Sequence, residues 1–433
     1  MSEYIGSIPD AGHRSMSADR PSVSSLVWSD YVLLFAMGLC LFIVADPFDL
    51  GFERPAGTKH MPLLLSLVGL VIASVGHALR SQGRAKICAS WSLLRAGYPL
   101  VMLGAWVLAG GFYTRFVDHI QDSFMTTGLY MLATFSIARA IILCDAHEKL
   151  IASMCRMIAL ATAFMILRMI VQHVWSGGMY HEMEFLVIPV AVFFALRSSG
   201  SPMQRKLITL FFLFGAVTFL KNTAFIVLFI TLLYLWWVEW RFHFKDPARV
   251  YRYIVGVMLA IAVAITLLAV LGNAFSEVTM PTGNPGYRMR TYDRAIARFY
   301  ESPVWGTLFA SRSTARFTAF EISVAGGQLP THSDVLDIAA NGGIIALGLL
   351  AWGYARIARV AGRTLLRGRV RNDMAAAAHM FACMSVSGIA VYAFNPIMLQ
   401  PEKALLLWGS LGMLLGCCLH AKASSPLNLV HKP

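Results

Sequence analysis

The feature that most constrains this chain is its series of long apolar runs. They fall at about 32–45, 62–79, 93–110, 125–143, 151–174, 183–196, 253–272, 335–357, 374–393 and 404–420, with a longer one at 207–238. A bilayer core about 30 Å thick is crossed by roughly 20 apolar residues in a helix, and it offers no water to an unpaired backbone group. So many such runs prescribe membrane-spanning helices. The side chains are 57% hydrophobic and 14% charged, against about 25% charged in soluble domains. The expected fold is an all-α polytopic membrane protein.

The run 207–238 decides the topology. It holds Lys221 and Asn222 near its centre, where a cation costs several kcal/mol, roughly +2.5 to +3.5 on the lower estimates. As one helix it gives eleven spans; as a hairpin broken at 221–222 it gives twelve. Numbered from an inner N-terminus, loops 80–92, 139–150, 197–206, 239–252 and 359–373 hold 17 Lys and Arg, and the opposite loops 46–61, 111–124, 174–183 and 394–403 hold four. Short cytoplasmic loops are the basic ones. Only the hairpin keeps 197–206 and 239–252 on one side, with Lys221 facing outward at its tip. The expected organisation is a disordered cytoplasmic tail at 1–26 and helices 1–9 over 27–272. A large outer loop at 273–334, helices 10–12 over 335–420 and a cytoplasmic tail at 421–433 complete it. The seven cysteines show no metal-ligand spacing and read as small buried hydrophobes.

The outer loop departs from the charge rule. It carries Arg288, Arg290, Arg294, Arg298, Arg312 and Arg316 and no lysine. On a helix Arg290, Arg294 and Arg298 stand one above another, and guanidinium suits bidentate contact with phosphate or carboxylate. A solvated amphipathic helix on anionic headgroups is the simpler reading of the arginines alone. Lys221 at the same depth adds weight to a site for an anionic ligand. The loop closes on LPTHSDVLDIAANGG, where Thr331 or Ser333 can cap the next helix and Asp334 and Asp337 complement its dipole. His332, at the membrane mouth beside these arginines, is equipped for proton transfer. Metal binding through His332, Asp334 and Asp337 ranks below this, because capping explains both carboxylates.

In this order the features resemble the bacterial O-antigen ligase and O-antigen polymerase (Wzy-like) superfamily. The matching residues are Arg288 with Tyr292, then ESPVWGTLF with Glu301, Pro303 and Gly306, then His332–Ser333 and NGGIIALG. Lys221–Asn222 stands where the family breaks an apolar run with a serine–arginine pair. The resemblance covers about 205–420 and implies about twelve spans, one large periplasmic loop and the bacterial inner membrane, with both termini cytoplasmic. It implies glycosyl transfer from an undecaprenyl-pyrophosphate-linked oligosaccharide to an acceptor sugar, with no cofactor and no metal. Arg288 and His332 are then the catalytic candidates, His332 as general base. Lys221, Arg290 and Arg294 are the substrate-binding ones. The implied partners are lipid-linked donor and acceptor, the bilayer, a flippase and a chain-length regulator; no nucleic acid is expected. A polymerase of exopolysaccharide or O-antigen repeats is preferred on the HSD form of the closing motif and on lysine replacing arginine at the hairpin tip. The alternatives are a ligase that delivers glycan to lipid A core and, in another class, a lipid-glycan flippase or secondary transporter, which intramembrane charges such as Arg168 would also serve.

Overall fold

A computed structural model describes residues 25–45, 60–81, 83–113, 123–176, 184–197, 199–218, 227–234, 236, 284–308, 320–324, 327–329, 333–365, 372–394, 397 and 401–423. Among these the chain forms α1 (Trp28–Ala45), α2 (His60–Arg80), α3 (Gly83–Tyr113), α4 (Ser123–Leu143), α5 (His147–Ser176), α6 (Glu184–Leu196) and α7 (Pro202–Thr218). Next come a short helical segment at 227–234 and α8 (Asn284–Glu301). The strands β1 (Phe320–Val324) and β2 (Gly327–Leu329) precede α9 (Asp334–Leu365), α10 (Asn372–Phe394) and α11 (Pro401–Ala423). The antiparallel β1–β2 pair, with Phe320 opposite Leu329, is the one departure from an all-helical fold. Among the described residues six helices are long and apolar enough to cross a membrane. The 253–272 run, the 221–222 turn and most of both terminal tails lie outside the described residues.

Helix boundaries overrun the apolar runs. α3 begins at Gly83, inside the stretch read as loop 80–92, and α9 continues to Leu365, past the start of the stretch read as loop 359–373. Charged residues extend a helix beyond the hydrocarbon without breaking it, because helix needs only backbone pairing and long side chains reach the interface. Phe35, Leu79, Trp91 and Leu160 are each at least 70% exposed. Such apolar exposure is untenable over a wide surface in water and is expected against lipid. The chain is a multi-pass membrane protein.

The core is built by close helix approach. α4 and α11 meet where Gly412 sits on the backbone of Thr134: a Cβ there would lie 2.4 Å from the Thr134 carbonyl oxygen. The Thr134 hydroxyl in turn donates to the Trp408 carbonyl at 2.7 Å. Small residues at such crossings supply the packing that lipid, as apolar as the helices, does not drive.

The two ends of the bundle are distinguishable. At one, Asp30 near the start of α1 accepts from the Val27 amide at 2.7 Å, touches His77 Nε2 of α2 at 3.0 Å and accepts from Cys144 Sγ, just beyond α4, at 3.1 Å. His147 of α5 and His420 of α11 stack at the same end, rings 3.7 Å apart. At the other end Arg168 of α5 donates to the Ala45 carbonyl at 2.7 Å, closing the last turn of α1. A structural duty thus accounts for this intramembrane arginine.

α10 is touched by described residues on either side of Lys221. Ser199, before α7, bonds Asp373, and the Tyr234 hydroxyl lies 2.6 Å from His379 Nδ1. Those two positions on α10 are about 9 Å apart, whereas an unbroken helix from 199 to 234 would span roughly 50 Å. Ser199 and Tyr234 therefore both lie along α10.

Adding a methyl at Gly412 should cost about 1–3 kcal/mol through overpacking. Gly412→Ala is therefore expected to lower the thermal midpoint of the detergent-purified protein by several degrees. Gly348→Ala, where a Cβ meets nothing within 4 Å, should leave it unchanged or slightly raised.

Candidate active site

The site forms where the loop helix α8 lies on the start of α9. Proline in the first turn of α8 (Pro285) costs no hydrogen bond, because the first amides of a helix are unpaired anyway. Thr291, Tyr292, Ala295 and Ile296 give α8 an inward face, and Ala295 packs with Leu336 and Ala340 of α9, flanked by Tyr292 and Ile296. Ser333 caps α9, its hydroxyl accepting from the Leu336 amide at 3.4 Å.

α9 is broken nine residues into its length. Gly343 has φ 64° and ψ −167°, within Asn341-Gly342-Gly343. The break releases the amides of Ile344 and Ile345 from their usual partners, and the turn after α8 supplies new ones. The Pro303 carbonyl accepts from Ile344 at 2.8 Å and the Val304 carbonyl from Ile345 at 3.5 Å. Both glycines of this lock are obligatory: a Cβ on Gly343 would lie 2.3 Å from the Val304 oxygen, and one on Gly306 (φ 60°) 2.3 Å from the Asn341 carbonyl carbon. Asn341 joins the two sides, donating to the Asp337 carbonyl at 2.8 Å and accepting from the Thr307 hydroxyl at 3.4 Å. Trp305, on the same turn, stacks on Trp106 of α3 with ring centroids 5.7 Å apart. Since α3 starts next to the end of α2, Trp106 near its far end places this site opposite the Asp30 cluster.

Charge is concentrated at this contact. Arg288 is half-buried on α8, and its Nε is shielded from solvent with no hydrogen-bond partner among the described residues. Asp334 and Asp337 are buried, at 0% and 3% exposure, more deeply than capping alone requires. Burial pushes the Tyr292 phenol above its ordinary value, Arg288 opposing and Asp337 adding to the rise. Burial lowers the Arg298 guanidinium, against the pull of Glu301 and Asp337. Burial likewise raises the Asp293 carboxyl. Asp337 therefore sits within electrostatic reach of both Tyr292 and Arg298.

Of the residues singled out in the sequence, Arg288 is placed in this contact. Arg290 and Arg294 lie on α8, but at 100° per residue their positions are about 200° and 240° round from Arg288, so the three do not share one face. Lys221 and His332 lie outside the described residues, as do Arg312 and Arg316. His332 immediately precedes the capping Ser333. Sequence reading did not find the lock between the turn and the break in α9, nor the Trp106–Trp305 stack. The motifs were visible; their contact was not.

Residues 206–351 match the family model described as O-antigen ligase (Wzy_C). The match supports the O-antigen ligase and polymerase superfamily for this region. It covers roughly a third of the chain and includes α7, α8, the locked turn and the break in α9. No curated protein matches the chain.

Gly343→Ala should expel the Val304 carbonyl from the break in the region that matches the O-antigen ligase family model. Each amide left without an acceptor then costs about 1–3 kcal/mol where no water reaches it. Hydrogen exchange at Ile344 and Ile345 is expected to accelerate roughly 10–100-fold, with protection in α4 and α11 unchanged.

Proposed function

We propose that the chain is a metal-independent glycosyltransferase that polymerises undecaprenyl-pyrophosphate-linked oligosaccharide repeats at the periplasmic face of the bacterial inner membrane. The observation that carries this is Arg288: a half-buried guanidinium with an unpaired, solvent-shielded Nε, held inside the region that matches the O-antigen ligase family model. A buried donor without a partner costs free energy unless a ligand supplies one. Pyrophosphate does so, and its charge grows as the glycosidic bond breaks.

In the reaction we assign, an acceptor hydroxyl attacks the anomeric carbon of the donor saccharide, and the bond from that carbon to pyrophosphate oxygen breaks. Arg288 and Lys221 stabilise the departing lipid pyrophosphate, as preorganised cations do for developing negative charge. His332 accepts the hydroxyl proton, imidazole being the side chain suited to proton transfer near neutral pH. Arg290 and Arg294, on another side of α8, contact outlying polar groups of the glycan. The acceptor is a second lipid-linked repeat, and a flippase and a chain-length regulator would work alongside.

The bundle fits this sidedness. The site lies at the end opposite the helix ends that border the basic loops, which supports a reading with 273–334 outside and twelve spans. Cysteine labelling should reach Arg249→Cys from the cytoplasmic side only; labelling from outside would remove the hairpin.

Purified protein given the lipid-linked repeat alone should elongate it without ATP or an ion gradient. His332→Ala should slow this about 10²- to 10⁴-fold with donor binding retained, and Arg288→Ala or Lys221→Ala about 10²- to 10³-fold. Lys221→Arg should keep activity. Transfer seen only when lipid A core is supplied would make the chain a ligase, and normal turnover by His332→Ala would remove the base from the mechanism.

A further inference from the structure

Away from α8, at the opposite end of the bundle, a cavity of about 420 Å³ opens between the first turns of α5, the end of α6 and the start of α10. Its lining divides by chemistry. Ile151, Phe193, Met374 and Ala377 give an apolar side, and Glu148, Lys149, Arg156, Arg197 and Asp373 give a charged one.

Asp373 is already committed: one oxygen accepts from Arg197 Nε at 3.2 Å and from the Ser199 hydroxyl, the other from the Ser199 amide at 3.3 Å. That pair is neutral, and it leaves Lys149 and Arg156 facing the single carboxylate of Glu148. Lys149 and Arg156 are seven residues apart on α5, hence on one face and about 10 Å apart along it. Arg156 is exposed and makes no hydrogen bond or ion pair with any described residue. It nevertheless stands inside His147–Val171, an apolar stretch long enough to cross the membrane. A cation at such a depth marks a ligand or a water-filled cavity.

We infer that this cavity binds the phosphate of an anionic lipid headgroup from the leaflet on the basic-loop side, between Arg156 and Lys149, with the apolar wall receiving the upper part of the acyl chains. The volume suits a headgroup. Basic pockets between membrane helices on the cytoplasmic side hold such headgroups. A soluble phosphate ester shares the phosphate chemistry but has no use for the apolar wall.

The full-length protein in lipid-free maltoside micelles, titrated with short-chain phosphatidylglycerol or phosphatidylcholine and read by native mass spectrometry, tests this. Phosphatidylglycerol should be retained at least tenfold better, and Arg156→Gln should lose roughly tenfold of that retention, as removal of a charged hydrogen bond does. The thermal midpoint of Arg156→Gln without lipid should equal that of the unsubstituted protein, because Arg156 holds nothing in the fold. Equal retention of the two lipids, or full retention by Arg156→Gln, overturns the site. Displacement of phosphatidylglycerol by millimolar inorganic phosphate or glycerol phosphate overturns the lipid as its occupant.

Discussion

The placement of the candidate site depends on two backbone carbonyls. Pro303 and Val304 insert into the break that Gly343 opens in α9 and take over the amides of Ile344 and Ile345. In a membrane protein a broken helix is tolerated only where protein or trapped water satisfies the freed groups, so the turn and the break stabilise each other. Without the turn, α9 would be left with unpaired amides; without the break, the turn would have no seat. The consequence extends beyond the contact itself, because the turn directly follows α8. Fixing the turn fixes the last residues of α8 and, through a rigid helix, the position of Arg288 about 20 Å away.

That arrangement explains why the charges can be buried at all. α8 rests on α9 through Ala295, Leu336 and Ala340, small and medium side chains that let the helices approach. Asp337 is thereby held near Tyr292 and Arg298. A carboxylate at 3% exposure is stable only among donors and cations. The α9 N-terminus and Arg298 provide them, and Arg288 keeps an unspent donor. The packing of α8 on α9 holds these charges together.

Much of this was legible in the sequence. Helix positions followed from apolar runs of bilayer length, because hydrophobic length is a local property. Loop charge argues for a hairpin in the 207–238 run, whose centre lies outside the described residues; Ser199 and Tyr234, on either side of it, both touch α10. Helix ends were misjudged at Gly83 and Leu365, since a basic residue marks the membrane surface and not the end of backbone pairing. The motif stretches ESPVWG and NGG were readable as glycine-bearing turns. Their mutual lock was not, for it joins segments some 40 residues apart and depends on which carbonyl meets which amide. Arg288, Arg290 and Arg294 look like one cluster along the sequence, yet 100° per residue separates them once α8 has chosen its buried face.

The arginines also show how a functional charge differs from a structural one in an apolar fold. Arg168 closes the end of α1 through the Ala45 carbonyl, and Arg197 is matched by Asp373. Each has protein donors and acceptors arranged around it, and such duties alone justify a charge at that depth. Arg288 and Arg156 differ in what is left over: a shielded Nε without an acceptor in one case, and a guanidinium without any described partner in the other. Since the cost of burying a polar group is met by whatever satisfies it, the shielded Nε of Arg288 calls for an acceptor from outside the described residues; Arg156 is exposed and rests on its place in the cavity lining instead. The two arginines stand at opposite ends of the bundle, so the anions proposed for them would come from opposite leaflets. A lipid pyrophosphate at the α8 end and a lipid phosphate at the α5 end would hold the same helices from both sides.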